Sequence, residues 1–479
     1  MNRIAISVSI LLLSVQVFSQ NENDAYRYSV VTPGGTARFT SMAGAFGALG
    51  GDFSSIGVNP AGLGVFRISE FTLTPAFNQS NIETQYYGTL NIGSKNNLSL
   101  NNLGLVLAFP VGGPADLPGW KFINLAFGIN SQNNFNHRWI AQGFNNESSL
   151  MTSFLEQAII EGSVENLNNF STGLAWDTYL LDRQNGQFFV DMPDGNVEQR
   201  RTNVTQGSVR EFVVSVGANY NNRLFLGATL GLPSVRFEEN FTFHEADIQN
   251  LNVFFNSLEY KYRLTTTGTG FNLKVGAILR ATDMIRLGVA IHTPTFFNLE
   301  DEYQASMLSS LTLADYTDFA ESPVGRFNYE LNTPMRLIGS LGLVFGRSGL
   351  ISVDYERIDY SRMRLQSDDY GFSHENRTIS NNFTIQDIFR IGGEYRINPL
   401  VIRAGYAFHS SPFLQAINDG SRSVFSAGIG FMQQNFFLDL GYSVTNLRES
   451  FYPYDPSLVR PIEKRYALTR LNITAGLRF

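Results

Sequence analysis

Alternation of apolar and polar residues dominates most of the chain beyond residue 67. In the last ten residues, every odd-numbered residue from 471 to 479 is apolar, and every even-numbered residue from 470 to 478 is polar or glycine. Successive side chains of a strand point to opposite faces, so this pattern predicts a strand with one apolar and one polar face. Residues 209–220 and 223–237 repeat it, and aromatic residues mark many segment ends, as in transmembrane barrel strands.

About fourteen segments of this kind are predicted as strands. They lie near residues 69–78, 101–110, 121–131, 209–220, 223–237, 258–281, 284–292, 334–346, 350–361, 386–397, 400–408, 422–432, 436–446 and 470–479.

The connections between these strands alternate between short and long. Tight turns are predicted at Asn221-Asn222, Thr282-Asp283, Arg347–Gly349, Asn398-Pro399 and Gln433–Asn435. Long connections are predicted at residues 132–208, 238–257, 293–333, 362–385, 409–421 and 447–469. Short periplasmic turns and long external loops are typical of an outer-membrane barrel. The sequence therefore predicts an all-β fold, a transmembrane antiparallel β-barrel of about fourteen strands.

Two local features modify this pattern. Pro75 lies inside the first strand and cannot donate a ladder hydrogen bond, so we expect a bulge or a local gap there. Residues 148–160, within the longest loop, have apolar side chains at helical spacing, including Phe154 and Leu155. This predicted helix is either a cap over the barrel mouth or a first binding site for an apolar solute.

The N-terminus carries the features of a secretory signal peptide. Arg3 supplies a basic start, residues 4–18 are mostly apolar, and Ser19 fits a cleavage site. The apolar run is shorter than the roughly 20 residues of a membrane-spanning helix. We therefore predict a signal peptide at residues 1–19, an N-terminal plug at 20–67 and the barrel at 68–479.

Composition excludes several function classes. The chain has no cysteine, which removes disulfides and thiolate metal sites, and its net charge of −7 argues against a nucleic-acid partner. The usual motifs of serine hydrolases, zinc proteases and nucleotide-binding enzymes are absent from the sequence. We predict no enzymatic activity, no cofactor and no metal.

The segment from Arg38 to Phe66 fits no regular element. Its glycines at 44, 47, 50, 51, 57, 62 and 64 make a helix costly and weaken a strand. A barrel of about fourteen strands has a lumen too wide for wall side chains to fill, so water or a plug must occupy it. The segment precedes the first strand, and its small residues allow close packing against the inner wall. We predict that it forms a luminal hatch.

The hatch residues resemble those of a known family. The nine residues are Arg38, Ala43, Gly44, Ala45, Asp52, Asn59, Pro60, Ala61 and Gly62. Followed by the first strand of a barrel that ends on Phe479, they resemble the N-terminal hatch of the FadL/TodX outer-membrane transport family. Residues 20–35 precede the matching stretch and are additional to it.

The resemblance implies a monomeric barrel that lets long-chain fatty acids or aromatic hydrocarbons pass sideways through a wall gap into outer-membrane lipid. The expected partners are this hydrophobic cargo, the membrane lipid and the barrel-assembly machinery, which would bind the last strand through Phe479. If the cargo carries a carboxylate, a luminal arginine is its expected partner, and Arg38, Arg286 and Arg403 are candidates by position. A general diffusion porin and a structural or adhesive surface barrel stay open as alternatives.

Overall fold

A computed structural model describes residues 22–112, 118–312, 316–414 and 418–479 of the protein. The predicted signal peptide lies outside the described residues. No helix in these ranges is long and apolar enough to cross a membrane.

The described residues contain five α-helices and short 3₁₀-helices. The α-helices are α1 (Glu22–Ser29), α2 (Ala37–Ser41), α3 (Leu150–Glu161), α4 (Thr172–Asp177) and α5 (Ser373–Asn382). The 3₁₀-helices are Phe53–Gly57, Pro60–Val65, Val164–Asn166 and Tyr360–Arg362.

Strands make up most of the chain. They are β1 (Glu70–Tyr86), β2 (Thr89–Pro110), β3 (Trp120–Asn134), β4 (His137–Asn145), β5 (Asp182–Gln184), β6 (Gln187–Phe189), β7 (Val197–Tyr220), β8 (Leu224–Ala246), β9 (Phe255–Arg280), β10 (Ile285–His292), β11 (Phe296–Leu311), β12 (Tyr316–Glu321), β13 (Gly325–Asn332), β14 (Arg336–Phe345), β15 (Gly349–Asp359), β16 (Arg364–Gln366), β17 (Ile385–Ile397), β18 (Leu400–His409), β19 (Arg422–Met432), β20 (Phe436–Phe451) and β21 (Ile462–Arg478).

The large sheet closes on itself. Neighbouring wall strands pair antiparallel, and β21 pairs with β1, which closes the ring. Four wall strands are interrupted. Three of them consist of two pieces, namely β3 with β4, β10 with β11, and β15 with β16, and the fourth consists of β12, β13 and β14. Counted in this way, the wall has fourteen strands, and the predicted fold class is confirmed.

The outer surface of the barrel is apolar in the band that the alternation predicts. On β8, Leu226, Leu230 and Leu232 are 38%, 44% and 41% exposed, as expected for side chains that face lipid. On β21, Asn472 and Thr474 are fully buried on the inner face. The predicted bulge at Pro75 is also confirmed, because the register between β1 and β2 shifts between Thr74 and Pro75.

Several wall strands are longer than predicted. The prediction of a long loop at residues 293–333 was wrong, because β11 and β13 continue the wall there, beyond short interruptions at 293–295 and 333–335. The predicted loops at 132–208 and 238–257 also contain strand residues, because β7 begins at Val197 and β8 runs to Ala246. These extensions stand above the lipid-facing band, where the outer strand face meets water and is largely polar, so the apolar outer pattern ends.

The lumen contains the N-terminal residues. α2 and the two 3₁₀-helices between residues 53 and 65 lie against the inner faces of β8, β9 and β18 to β21. α1 lies against α5 and against aromatic side chains such as Phe237 and Phe383. The helix predicted at 148–160 is present as α3. It belongs to a lid formed by the loop between β4 and β7.

Candidate functional site

Asn59 fixes the hatch to the barrel wall. Its side-chain amide donates to the carbonyl of Gly47 at 2.7 Å and to that of Ala277 in β9 at 3.2 Å. Its side-chain oxygen accepts from the N–H of Ala61 at 3.0 Å, which caps the 3₁₀-helix that starts at Pro60. A Cβ atom at Gly276 would stand 2.0 Å from this oxygen, so the wall has to carry glycine here.

A buried charge network joins the hatch to the opposite wall. Arg38 Nε and Arg403 Nε each donate to Glu394 Oε2 at 2.8 Å. Arg403 Nη1 also donates to Asp439 at 2.6 Å, and Arg38 Nη1 donates to the carbonyl of Gly51 at 2.9 Å. Because buried charges are costly unless they are paired, this network holds the hatch and the wall in one arrangement.

The remaining hatch residues shape the turns of the segment. Asp52 accepts from the N–H of Ser54 at 2.9 Å and from the hydroxyl of Thr36 at 2.7 Å. Ala43 and Gly44 have positive φ angles of 51° and 76° and face the cavity described below. Ala45, Pro60, Ala61 and Gly62 are buried among the hatch and wall residues.

A large cavity lies between the hatch and the external lid. Its volume is about 1330 Å³. The floor is formed by α1 and by hatch residues that include Phe39 and Ala43, and Phe154 of α3 forms part of the roof. Aromatic side chains cover much of the wall; they are Trp139, Phe237, Phe241, Phe243, Tyr260, Tyr262, Phe451, Tyr454 and Tyr466.

The lid is anchored by a buried polar cluster. Glu245 of β8 accepts from the N–H of Leu150 at 2.8 Å, at the start of α3, and from the side-chain amide of Gln199 at 2.7 Å. The hydroxyl of Tyr454 accepts from the same amide group at 2.9 Å. Phe154 packs on Tyr260 with ring centroids 5.9 Å apart. The roof of the cavity is therefore attached to the tops of β7 and β8.

Arg201 of β7 is a buried cation without a hydrogen bond to any of the described residues. Its side chain lines the cavity, and the residue is 7% exposed. The guanidinium carbon stands 3.7 Å from the ring centre of Phe241 and 4.7 Å from that of Phe451. No carboxylate oxygen of the described residues lies within 4 Å of it. Aromatic faces partly compensate its charge, but its donors stay free to bind an anion.

The ladder between β2 and β3 ends part of the way up the wall, and the unpaired region above it is called the slot. The ladder between these strands runs from Pro110–Phe122 up to Asn102–Asn130, and no further pair joins them in the described residues. Above this point β2 pairs only with β1, whereas β3 and β4 pair with β7. Side chains of Asn97, Asn133 and Asn134 line both the slot and the cavity.

β4 passes on the lumen side of the β1–β2 hairpin. The inward-facing hydroxyl of Thr84 donates to the carbonyl of Ile140, and Ser80 contacts His137 at 2.8 Å. A Cβ atom at Gly93 of β2 would lie 2.7 Å from Cα of Trp139. The two edges of the slot therefore overlap instead of meeting edge to edge.

The residues that precede the hatch lie along the free edge of β3. The N–H of Thr32 donates to the carbonyl of Gln132, and that of Gly34 to the carbonyl of Ser131, each at 2.8 Å. α1, immediately before them, packs Tyr28 against Phe135 at the break between β3 and β4. The stretch that is additional to the family's hatch thus connects the cavity floor to the slot.

The sequence-based ligand candidates occupy different places. Phe154 lines the cavity, and Leu155 packs beside the lid cluster. Arg286 donates to the hatch carbonyl of Leu49 at 2.9 Å, and Arg403 belongs to the Glu394 network, so the structure does not bring either to the cavity. A role of these four residues in ligand binding stays a prediction. Among the described residues, no cluster of three or more His, Asp or Glu side chains is placed to hold a metal ion.

Sequence reasoning missed Arg201 because it lies in a segment predicted as loop. One signal was available, since Val197, Gln199, Arg201 and Asn203 continue the inward-facing odd-numbered positions of β7. No local sequence pattern indicates the slot, because the slot depends on which strands pair with β2 and β3.

Solved structures share this architecture. A Pseudomonas aeruginosa FadL homologue aligns with a TM-score of 0.57 and 13% identity, over 94% of this chain and 99% of that chain. The Pseudomonas putida toluene transporter TodX aligns with a TM-score of 0.53 and 13% identity, over 93% of this chain and 99% of that chain. The Ralstonia pickettii toluene transporter TbuX aligns with a TM-score of 0.53 and 15% identity, over 93% of this chain and 98% of that chain. At these identities the similarity establishes the fold.

The family assignment has an independent basis. No curated protein sequence matches the chain. The family model described as outer membrane protein transport protein (OMPP1/FadL/TodX) matches residues 205–453, which is more than half of the chain. This match does not include the hatch residues that suggested the family. The chain therefore belongs to the OMPP1/FadL/TodX family of outer-membrane transport proteins, and its barrel lies in the outer membrane of a Gram-negative cell.

Proposed function

We propose that the protein carries amphipathic compounds with an apolar body and an acidic head, the class that includes long-chain fatty acids, from the exterior into the outer membrane. Movement is passive and follows the concentration gradient. One observation carries this proposal: a single cavity touches the external lid, the N-terminal plug and the slot in the wall. A compound held in it contacts every part that a lateral route requires.

The lining suits an apolar body. Aromatic side chains from β8, β9 and the lid supply large apolar surface inside the lumen. The cavity volume of about 1330 Å³ exceeds the roughly 300–1,000 Å³ of ordinary ligand pockets, which suits a long and flexible chain. Family members with solved structures include toluene transporters, and the apolar lining is the property that this cargo class shares with fatty acids.

Arg201 distinguishes an acidic amphiphile from a plain hydrocarbon. A buried cation that has aromatic partners but no hydrogen bond among the described residues is incompletely compensated, and a bound carboxylate would satisfy its donors with charge-assisted hydrogen bonds. A hydrocarbon would leave the guanidinium unpaired. The position of Arg201 therefore supports a cargo with a carboxylate head.

Binding to Arg201→Gln tests the cargo class. We expect the purified variant to bind dodecanoate at least about tenfold more weakly than the unmodified protein, because the charged hydrogen bonds are lost. Its affinity for dodecanol should change less than about twofold. Arg236→Gln, at a 70% exposed side chain paired with Glu238, is the matched control and should bind both ligands normally. Equal loss of acid and alcohol would contradict a carboxylate site.

Residues 22–35 are proposed as the gate of this route. α1 forms part of the cavity floor, and two backbone hydrogen bonds join the following residues to β3 at the slot. A cargo that displaces α1 would weaken these contacts and widen the slot. Cavity occupancy would thereby be coupled to lateral release.

The slot itself is tested by reversible cross-linking. The native chain has no cysteine, so Asn97→Cys with Asn134→Cys introduces the only two thiols. The two asparagine side chains approach to 3.4 Å across the slot. We expect a short bis-methanethiosulfonate reagent to stop uptake of dodecanoate and a reductant to restore it.

The control for this experiment is Asn102→Cys with Asn130→Cys. These residues pair in the ladder at the base of the slot, with their side chains 2.9 Å apart. Cross-linking them should leave uptake unchanged. Normal uptake with the upper pair fully cross-linked would exclude the slot as the exit.

A further inference from the structure

A second group of basic side chains faces the cavity from another part of the wall. Arg390 lies on β17, His409 on β18 and Arg422 on β19, and all three line the cavity. His409 is directly opposite Arg422 in the β18–β19 ladder. Arg390 is opposite Ala407, one inward-facing position from His409. Adjacent strands thus bring the three side chains together.

The polar atoms of this group are incompletely paired. Arg390 Nη1, His409 Nδ1 and Arg422 Nε are buried and have no hydrogen-bond partner among the described residues. Buried polar groups are normally hydrogen-bonded, so three unpaired nitrogen atoms in one place point to an absent ligand.

The charge of the group is also unbalanced. Glu356 forms ion pairs with both Arg336 and Arg390, the latter at 2.7 Å. Arg422 forms no ion pair with a described carboxylate. Asp354 lies opposite Arg390 in the β15–β17 ladder, so two buried carboxylates face these three arginines. The one excess positive charge favours an anion with oxygen acceptors.

This group and Arg201 lie on different parts of the barrel wall, and Phe451 of β20, the neighbour of β19, reaches to 4.7 Å from the guanidinium carbon of Arg201. Between β7 and β19, the wall has β20, β21, β1, β2 and the interrupted β3–β4 strand on one side. The other side has β8, β9, the interrupted β10–β11, β12–β14 and β15–β16 strands, β17 and β18. The Cδ atom of Arg390 would be 3.8 Å from a Cβ atom at Gly44, so this group borders the hatch.

We propose that Arg390, His409 and Arg422 form a second anion-binding subsite, and that together with Arg201 it selects ligands with a carboxylate at each end of an apolar chain. This inference rests on the proposed function, because it extends the same cavity by a second head-group site. α,ω-Dicarboxylates are the simplest ligands of this kind. One carboxylate binds Arg201 and the other binds the Arg422 group, while the methylene chain crosses the aromatic part of the cavity.

Comparison of dodecanoate with dodecanedioate tests the inference. Both are titrated into the full-length protein in mild detergent at a pH at which every carboxylate is ionised. We expect the diacid to bind at least about tenfold more tightly than the monoacid, because a second set of charge-assisted hydrogen bonds forms. Arg422→Gln should remove this preference and leave the monoacid affinity within about twofold. Arg422→Lys keeps the charge and should retain part of the preference, which also shows that position 422 tolerates substitution.

The outcomes separate this inference from the proposed function. If the monoacid binds and depends on Arg201 but the diacid binds no more tightly, the second subsite is refuted and the proposed function stands. Persistence of the diacid preference in Arg422→Gln would likewise refute it. If neither acid binds the unmodified protein, the proposed function itself fails.

Discussion

Glu394 is a single carboxylate that pairs with three arginines, because Arg396 also donates to its other oxygen atom at 2.9 Å. Arg38 belongs to the hatch and Arg403 to the wall, and both donate to the same oxygen atom. The side chain of Glu394 is fully buried. Removing its charge would take away the ion pair of Arg38 and leave Arg403 with Asp439 alone, so the neighbouring guanidinium groups would repel each other.

Glu394→Gln is therefore expected to destabilise the hatch by about 3–5 kcal/mol. Unfolding in denaturant, followed separately for the hatch and the barrel with local fluorescent labels, should show earlier release of the hatch. Glu302→Gln is the control, because its ion pair with Arg326 has side chains 50% and 68% exposed and should contribute about 0–1 kcal/mol. If the hatch of Glu394→Gln unfolds together with the barrel and at the same denaturant concentration as in the unmodified protein, the network does not hold the hatch.

At the level of elements, residues 30–34 bind the edge of β3 where β2 no longer pairs with it. Two backbone hydrogen bonds from Thr32 and Gly34 cover carbonyl groups that β2 would otherwise bind. Thr32→Pro removes the N–H donor at the first of these positions. We expect a loss of about 1 kcal/mol and release of bound dodecanoate about fivefold faster, measured by stopped-flow exchange.

Thr32→Val distinguishes the contribution of the backbone hydrogen bond of residue 32 from that of its side-chain hydroxyl. It keeps the N–H donor and removes only the hydroxyl, which donates to Asn133 at 2.9 Å. Its release rate should stay close to that of the unmodified protein. Equal acceleration in both variants would assign the effect to the hydroxyl and not to the backbone bond.

The strands also show how far the sequence predicts the fold. Residues 223–237 and 470–479 were recognised because lipid selects an apolar outer face where the strand crosses the membrane. The upper parts of β7, β8, β11 and β13 were missed, since their outer faces meet water and the apolar alternation ends. Arg201 lies in such a part, so its strand was not predicted. Arg422 begins a predicted strand and His409 directly follows one, as the first residue of a predicted loop. Whether these side chains face a cavity depends on how far the hatch fills the lumen, which the strand pattern does not indicate.

For the whole molecule, we predict that the hatch decides whether the barrel is an open channel. Deleting residues 22–66 removes α1 and the hatch but leaves every wall strand with its neighbours. We expect a large and steady ion conductance in planar bilayers, whereas the full-length protein should conduct little. Equal conductance of the two proteins would favour a general diffusion porin, whose lumen is already open.

The overlap of β4 with the β1–β2 hairpin gives the upper wall the form of a scroll with a free edge. A closed ring has a circumference fixed by its ladders, and widening it breaks hydrogen bonds between strands. A scroll can slide along its overlap, and here only side-chain contacts such as that of Ser80 with His137 have to yield. We therefore expect the upper half of the barrel to adjust its girth to bulky cargo while the lower half keeps all its ladders.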